Sequence, residues 1–374
     1  MTHRLIKSFT VAAFSLFLVL FSAQAQAAGG GDEETGEKKK FNAAEVIFGH
    51  VLNGHEFHFF NMSIPLPVIL YSPERGLSAF MSSQFHHGEH AHEGYLLLTN
   101  RNIAEMGLDP KKYSPEDIVP LDETGRIAES VTVYDISLTR NVVQMLLALV
   151  IFTWVMLRIA KRYKSGVGVK SAPSGSQSLM EPVITFVRDE VAKPNLGHKY
   201  EKYMPFLLTL FFFILINSLF GLIPGSANVS GNIAFTLVLG IIAFVVILAS
   251  SNRHYWGHIF NPPDVPFLVK LILVPVEFLS VFIKPFALII RLFANMVAGH
   301  IIIICLISLI FIFGELSAAA GWAASPLAVG FTIFIYFIEV LVAFLQAFIF
   351  ALLTAVFIGQ ALEGEHHDEH AAAH

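Results

Sequence analysis

The stretch PFLVKLILVPVEFLSVFIKPFALIIRLFANMVAGHIIIICLISLIFIFG, residues 266–314, decides how the rest of the chain must be read. It is apolar almost from end to end, and no turn signal interrupts its middle. As one helix it is about 70 Å long at about 1.5 Å per residue, against a bilayer core of about 30 Å. Two ordinary spans would need a loop near Arg291, and LIIRLFANMVAGHIII (288–303) contains none. One long helix is therefore expected, strongly tilted and bent at Pro275 and Pro285. Residues 315–325 (ELSAAAGWAAS) lack Lys and Arg and are expected to turn outside the membrane; Pro326 should then open a second long helix ending near 361.

Working outward, the whole chain fits a polytopic membrane protein. Its 374 residues have a mean hydropathy of +0.63, and only 14% are charged, whereas a soluble domain carries about a quarter. Apolar runs fill most of 141–361. One more span is expected at 142–158 (VVQMLLALVIFTWVMLR), followed by Arg158, Lys161, Arg162, Lys164 and Lys170. That basic cluster marks the cytoplasmic side. Two further spans are expected at 205–224 and 232–250, joined by PGSANVSGN, which has no Lys or Arg. Between the first and second spans, Leu179, Val183, Phe186, Val187 and Val191 fall on one helical face, which predicts an amphipathic helix at the cytoplasmic interface. The expected fold is thus an all-α integral membrane protein: transmembrane helices, that interfacial helix and a long tilted helix hairpin.

The remainder is organised around this membrane domain at 141–362. Residues 1–28 have a basic start at Arg4 and Lys7, an apolar core from Phe9 to Phe21, and small-residue cleavage sites at Ala23-Gln24-Ala25 and Ala25-Gln26-Ala27. They read as a signal peptide. Residues 29–140 are then an extracytoplasmic segment of unreadable fold, and 363–374 a cytoplasmic tail rich in His and acids. The lone Cys305 excludes a disulfide framework. The net charge of −5 gives no sign of nucleic-acid binding.

The hairpin holds few ionisable groups, and ionisable residues inside a membrane are functional candidates by default. Lys270, Glu277, Lys284 and Arg291 are spaced seven apart. Seven residues advance a helix by two turns less about 20°, so the four form one stripe from the cytoplasmic end to mid-helix. Asn295 stays near that face. Lys270 and Lys284 can also be read as snorkelling side chains; Arg291, about twenty residues from either helix end, cannot. An arginine there remains a fixed positive charge, because its pKa resists desolvation. Glu277 is about 21 Å away along the axis, so the counter-charge is expected on another subunit. His300 lies about half a turn around the helix from Arg291. In an antiparallel hairpin His300 and Glu339 reach similar depth, while Gln346 comes level with Arg291. An acid with an imidazole makes a proton relay; the plainer reading is a buried pair that locks the hairpin.

These residues carry a resemblance. Arg-Leu-Phe-Ala-Asn-Met-Val-Ala-Gly-His (291–300) and Leu-Gln-Ala-Phe-Ile-Phe (345–350) resemble the two signature segments of ATP synthase subunit a, and the likeness extends over about 140–362. The resemblance implies a non-catalytic stator subunit that forms two proton half-channels against a rotating c-subunit ring and so couples proton flow to ATP synthesis. It implies further partners in the subunit b peripheral stalk, the remaining synthase subunits and the lipid bilayer, with no cofactor. Arg291 matches the essential arginine; Glu277, Lys284, Asn295 and Gln346 match polar positions of the proton path. His300 and Glu339 match the relay pair with acid and histidine exchanged. The location implied is a bacterial inner membrane, with the N-terminal segment periplasmic and the C-terminus cytoplasmic. The rival reading is a cation secondary transporter, with His86, His87, His90 and His92 collecting the cation. It predicts internal repeats and helices broken at midplane, and the sequence shows no repeat.

Overall fold

Short strands form in the N-terminal segment where apolar residues alternate. The computed structural model describes residues 54–362, apart from 60–61, 110–111, 123, 169–171, 174, 224 and 263–264. The expected signal peptide and the His-rich tail lie outside the described residues. The chain divides into two compact units. One comprises residues up to 144 with 221–227 and 311–322; the other takes 145–220, 228–310 and 323 onward.

In the first unit, β1 (Glu56–Phe59) pairs with β2 (Met62–Pro65). Strand β3 (Pro67–Ser72) is flanked by β4 (Gly76–Met81) and β7 (Tyr134–Asp135), both antiparallel. A third pair joins β5 (Tyr95–Leu97) to β6 (Ile118–Pro120). Period-two alternation sends Val68 and Leu70 inward onto Phe85, Tyr95 and Leu97. The helix α1 (Asn100–Glu105) is capped by Thr99, whose hydroxyl accepts from Asn102 N at 3.2 Å. His55, 3% exposed, lies 3.4 Å from Asp135 Oδ2 and 3.8 Å from Glu116 Oε2. Burial pulls its pKa down, but the hydrogen bonds to Asp135 and Glu116 outweigh this and push it up to about 9. These strands are an addition to the all-helical expectation, which holds for the membrane-spanning part.

Five stretches are helical, long and apolar enough to cross a membrane among the described residues: 140–164, 176–221, 233–250, 267–316 and 318–362. The first is α2 (Arg140–Lys164). At its start, Gln144 grips the Ala227 peptide, accepting from its N–H at 2.7 Å and donating to its carbonyl at 2.5 Å.

The next stretch holds the helix expected between the first two spans, lengthened to residues 176–196. Helix α3 (Ser176–Phe186) runs through a wider π turn at Val187–Ala192 into α4 (Lys193–Leu196). Gly197, at φ 51, breaks the direction before α5 (Tyr200–Gly221), a conformation that glycine adopts without strain. Val187 and Val191 are buried, but Leu179 is 70% exposed. The apolar contacts with the core begin at Met180, Val183 and Ile184. Helix α6 (Ile233–Ser250) starts at Asn232, whose side chain accepts from Ala234 N at 2.8 Å. A short α7 (Arg253–Phe260) follows.

Helix α8 (Phe267–Leu316) is continuous over 50 residues, as the sequence required, with Pro275 and Pro285 inside it. The turn expected at 315–325 is instead a single non-helical residue, Ser317. Helix α9 starts at Ala318 and runs to Leu362, with Pro326 inside its first turns. The alanines at 318–320 are strong helix formers, so the small residues taken for a turn extend the helix. Pro326, the ninth residue of α9, lies past the first turn, so it leaves the Trp322 carbonyl without its helical donor and favours a bend there.

Candidate proton-path residues

Two contacts fix how α8 and α9 pair. Lys284 Nζ donates to Gln360 Oε1 at 3.2 Å, and the Glu339 carboxylate lies against Gly299. Numbers fall on one helix as they rise on the other, so the pair is antiparallel. In this register Gln346, which is buried, falls level with the turn from Arg291 to Asn295.

The buried face of α8 is the row Pro285, Leu288, Leu292 and Met296; Leu288, Leu292 and Met296 enter the core with Phe211, Phe350 and Ala351. Arg291 and Asn295 lie off that row and are exposed. Ala287, Ala294 and Ala298 share the exposed face with Arg291, so the guanidinium rises from a strip of small side chains. Among the described residues Arg291 has no ion pair or hydrogen bond.

The lower stripe is partly engaged. Lys270 Nζ donates to Asn261 Oδ1 at 2.6 Å. Lys284, besides its bond to Gln360, places its ammonium 5.2 Å from the centre of the Phe357 ring. Both lysines are half-buried, as is Glu277. Glu277 Oε2 is shielded from solvent without a hydrogen-bond partner. Tyr255 on α7 lies within its electrostatic reach: burial first, and the Glu277 carboxylate second, push that phenol up.

At the other end of the hairpin, Glu339 meets α8 at Gly299, beside His300. Glu339 is 7% exposed, and its Oε2 also has no hydrogen-bond partner. A Cβ built on Gly299 would collide with the Glu339 carboxylate. The acid therefore occupies the space that a side chain would fill, against the backbone turn that carries His300. His300 itself is half-buried. Sequence reasoning missed three participants: Gly299, Gln360 and Tyr255. A glycine in the middle of an apolar helix costs about 1 kcal/mol relative to alanine, and that cost is the signal that would have singled out Gly299.

The His run near residue 86 belongs to the other unit. His86 and His87 sit at φ 45 and 57 in the 3₁₀ segment Ser82–Gly88. The His86 and His90 rings meet edge to face at 5.2 Å, and His87 Nδ1 lies 3.3 Å from Glu56 Oε2. Among the described residues, no three His, Cys, Asp or Glu side chains are grouped to hold a metal ion.

Comparison with known proteins separates the same two regions. Residues 142–359 match the family described as ATP synthase A chain. Residues 46–136 match a domain of unknown function, DUF8433. ATP synthase subunit a of Chloroherpeton thalassium is 48% identical over 246 residues, covering 64% of this chain and 71% of the relative. ATP synthase subunit a 2 of Prosthecochloris aestuarii is 43% identical over 244 residues, covering 64% and 73%. ATP synthase subunit a of Myxococcus xanthus is 40% identical over 248 residues, covering 64% and 78%.

Proposed function

Because this chain belongs to the ATP synthase A chain family, we propose that Arg291 is the fixed cation separating two proton half-channels, facing a ring of carboxylate-bearing c subunits. Members of the family are the non-catalytic, proton-translocating stator subunit of F-type ATP synthase, and this chain is a multi-pass membrane protein of that kind. The observation that carries the finer reading is the exposed Arg291, unpaired among the described residues and set among alanines. Small residues let another helix approach closely within a membrane. A carboxylate brought to that strip is held ionised by a guanidinium that does not lose its proton. The same charge repels a proton that would pass directly between the half-channels.

Glu339 and His300 serve the outer half-channel in this reading. Glu339 is buried against Gly299, the residue that precedes His300. Glu277, Lys284 and Asn295 line the inner one. Gln346, level with Arg291, orients the guanidinium or the incoming acid. The basic residues Arg158, Lys161 and Arg162, at the end of α2, favour a cytoplasmic location for that end. The N-terminal segment is then periplasmic and the membrane a bacterial inner membrane. The peripheral stalk subunit b and the other synthase subunits complete the set of partners. A cation secondary transporter would break its helices at midplane, whereas α8 and α9 run unbroken through Arg291 and Glu339.

The test is proton flux in vesicles that hold the whole complex. Arg291→Ala should assemble normally yet lose ATP-driven pumping and potential-driven synthesis. Normal pumping by an assembled Arg291→Ala complex would overturn the assignment.

A further inference from the structure

The N-terminal unit has an outer face that its own core does not use. On the three-stranded sheet, Val68 and Leu70 point inward, so alternation sends Ile69 and Tyr71 outward. Leu77 pairs with Tyr71 in register, and Tyr134 pairs with it from the other side. Met81 continues the β4 row, and Ile136 follows Tyr134 two residues on, its N–H donating to Ile69 O at 2.9 Å. Leu77 is 68% exposed and Ile136 62%. The Tyr71 and Tyr134 rings stack at 6.4 Å. The row from Leu77 through Tyr71 and Tyr134 to Ile136 carries no charged side chain, and adjacent exposed apolar residues of this kind mark an interaction surface.

The chain itself indicates the occupant. Only residues 137–139 separate Ile136 from Arg140, the first residue of the membrane-crossing helix α2. At about 3.5 Å per extended residue, Ile136 lies within about 14 Å of the start of that helix. The headgroup layers add roughly 10–15 Å in total to a bilayer's apolar core. The rim of the apolar face is thus tethered within reach of the headgroup layer. Paired tyrosines with an apolar body and a polar tip are the side chains that settle at that level. Tyr134 and Ile136 make the face continuous in sequence with the lipid-facing surface of α2, where Leu146, Val150 and Trp154 are exposed.

We propose that the Ile69–Tyr71–Leu77–Met81–Tyr134–Ile136 face of the N-terminal unit lies on the lipid headgroup and outer acyl region of the membrane that α2 crosses. The unit is then seated on the membrane surface, and the bilayer covers its second face. This rests on α2 spanning the membrane, and not on the proton path.

The test uses the full chain, in its complex, in phosphatidylcholine–phosphatidylglycerol vesicles. With Cys305→Ser as background, single nitroxide labels are placed at Leu77→Cys, Tyr134→Cys, Val150→Cys and Glu105→Cys. Collision with oxygen and with a water-soluble nickel chelate reports depth. Val150 on α2 is the lipid control, and Glu105, exposed on α1, the water control. Labels at Leu77 and Tyr134 should favour oxygen, with nickel collision several-fold below that at Glu105. Nickel collision equal to Glu105, while Val150 reads as lipid, overturns the proposal alone. A label shielded from both reagents means that a protein covers the face, and also overturns it. If Val150 itself reads as water, the span assignment beneath the proposal falls.

Discussion

Replacing Gly299 by alanine adds one methyl group where the structure has room for none. The new Cβ would overlap the Glu339 carboxylate, and an ordinary contact requires about 3.5–4.0 Å. The acid must retreat before the methyl group fits. Small-to-large changes at a packed contact cost about 1–3 kcal/mol. If this falls on the proton-transfer geometry rather than on folding, at about 1.4 kcal/mol per tenfold the rate drops about 5- to 150-fold. ATP-driven proton pumping in vesicles, normalised to assembled complex, measures it. Glu339→Asp shortens the acid by one methylene and opens the same space. The double variant should therefore pump faster than Gly299→Ala alone, a non-additivity expected only of residues in contact. Wild-type pumping by Gly299→Ala, or no recovery in the double variant, would refute the argument.

Two further outcomes concern the N-terminal unit. The folded pKa of His55, about 9, lies above its ordinary value of 6.5, so its contribution is complete below about pH 6.5 and is lost as pH rises through about 9. At about 1.4 kcal/mol per pH unit, this is of order 3 kcal/mol; protease cleavage of residues 54–139 should accelerate between pH 7 and pH 9.5 in the wild type and lose that dependence in His55→Gln. Gln144→Leu strands the buried N–H and carbonyl of Ala227, at about 1–3 kcal/mol for each unsatisfied group. The Tm of the purified protein should fall, and Gln144→Glu, which keeps only the acceptor, should fall between the two.

The sequence made α8 legible because length against bilayer thickness is a strong constraint, and nothing in 288–303 could form a loop. The seven-residue spacing likewise puts Lys270, Glu277, Lys284 and Arg291 on one flank of the helix. What it did not show depends on contacts between distant residues. Gly299 meets Glu339, and Lys284 meets Gln360, only once the hairpin register is set. That register depends on the turn, and the turn was misplaced because alanine and glycine between 318 and 321 look alike in a loop and in a helix. Leu179 has the periodicity of the buried face, yet it stays exposed while Met180, the next residue, packs on the core. The strands of the N-terminal unit are two to six residues long, too short for alternation to stand out among turns.

An unbroken helix is also a mechanical element. In the proposed reading, a stationary wall beside a turning ring takes up a reaction torque, and a wall that yields stores that work instead of passing it on. From Pro285 to Leu316 no proline interrupts α8, so this part, with Arg291 near its base, bends little. Pro275 and Pro285 each lack a backbone donor, and kinks in helices form at such points. Elastic give in the wall is therefore concentrated on the far side of Pro285 from His300. The arginine is mounted on the stiff segment, and the Glu277 region on the compliant one.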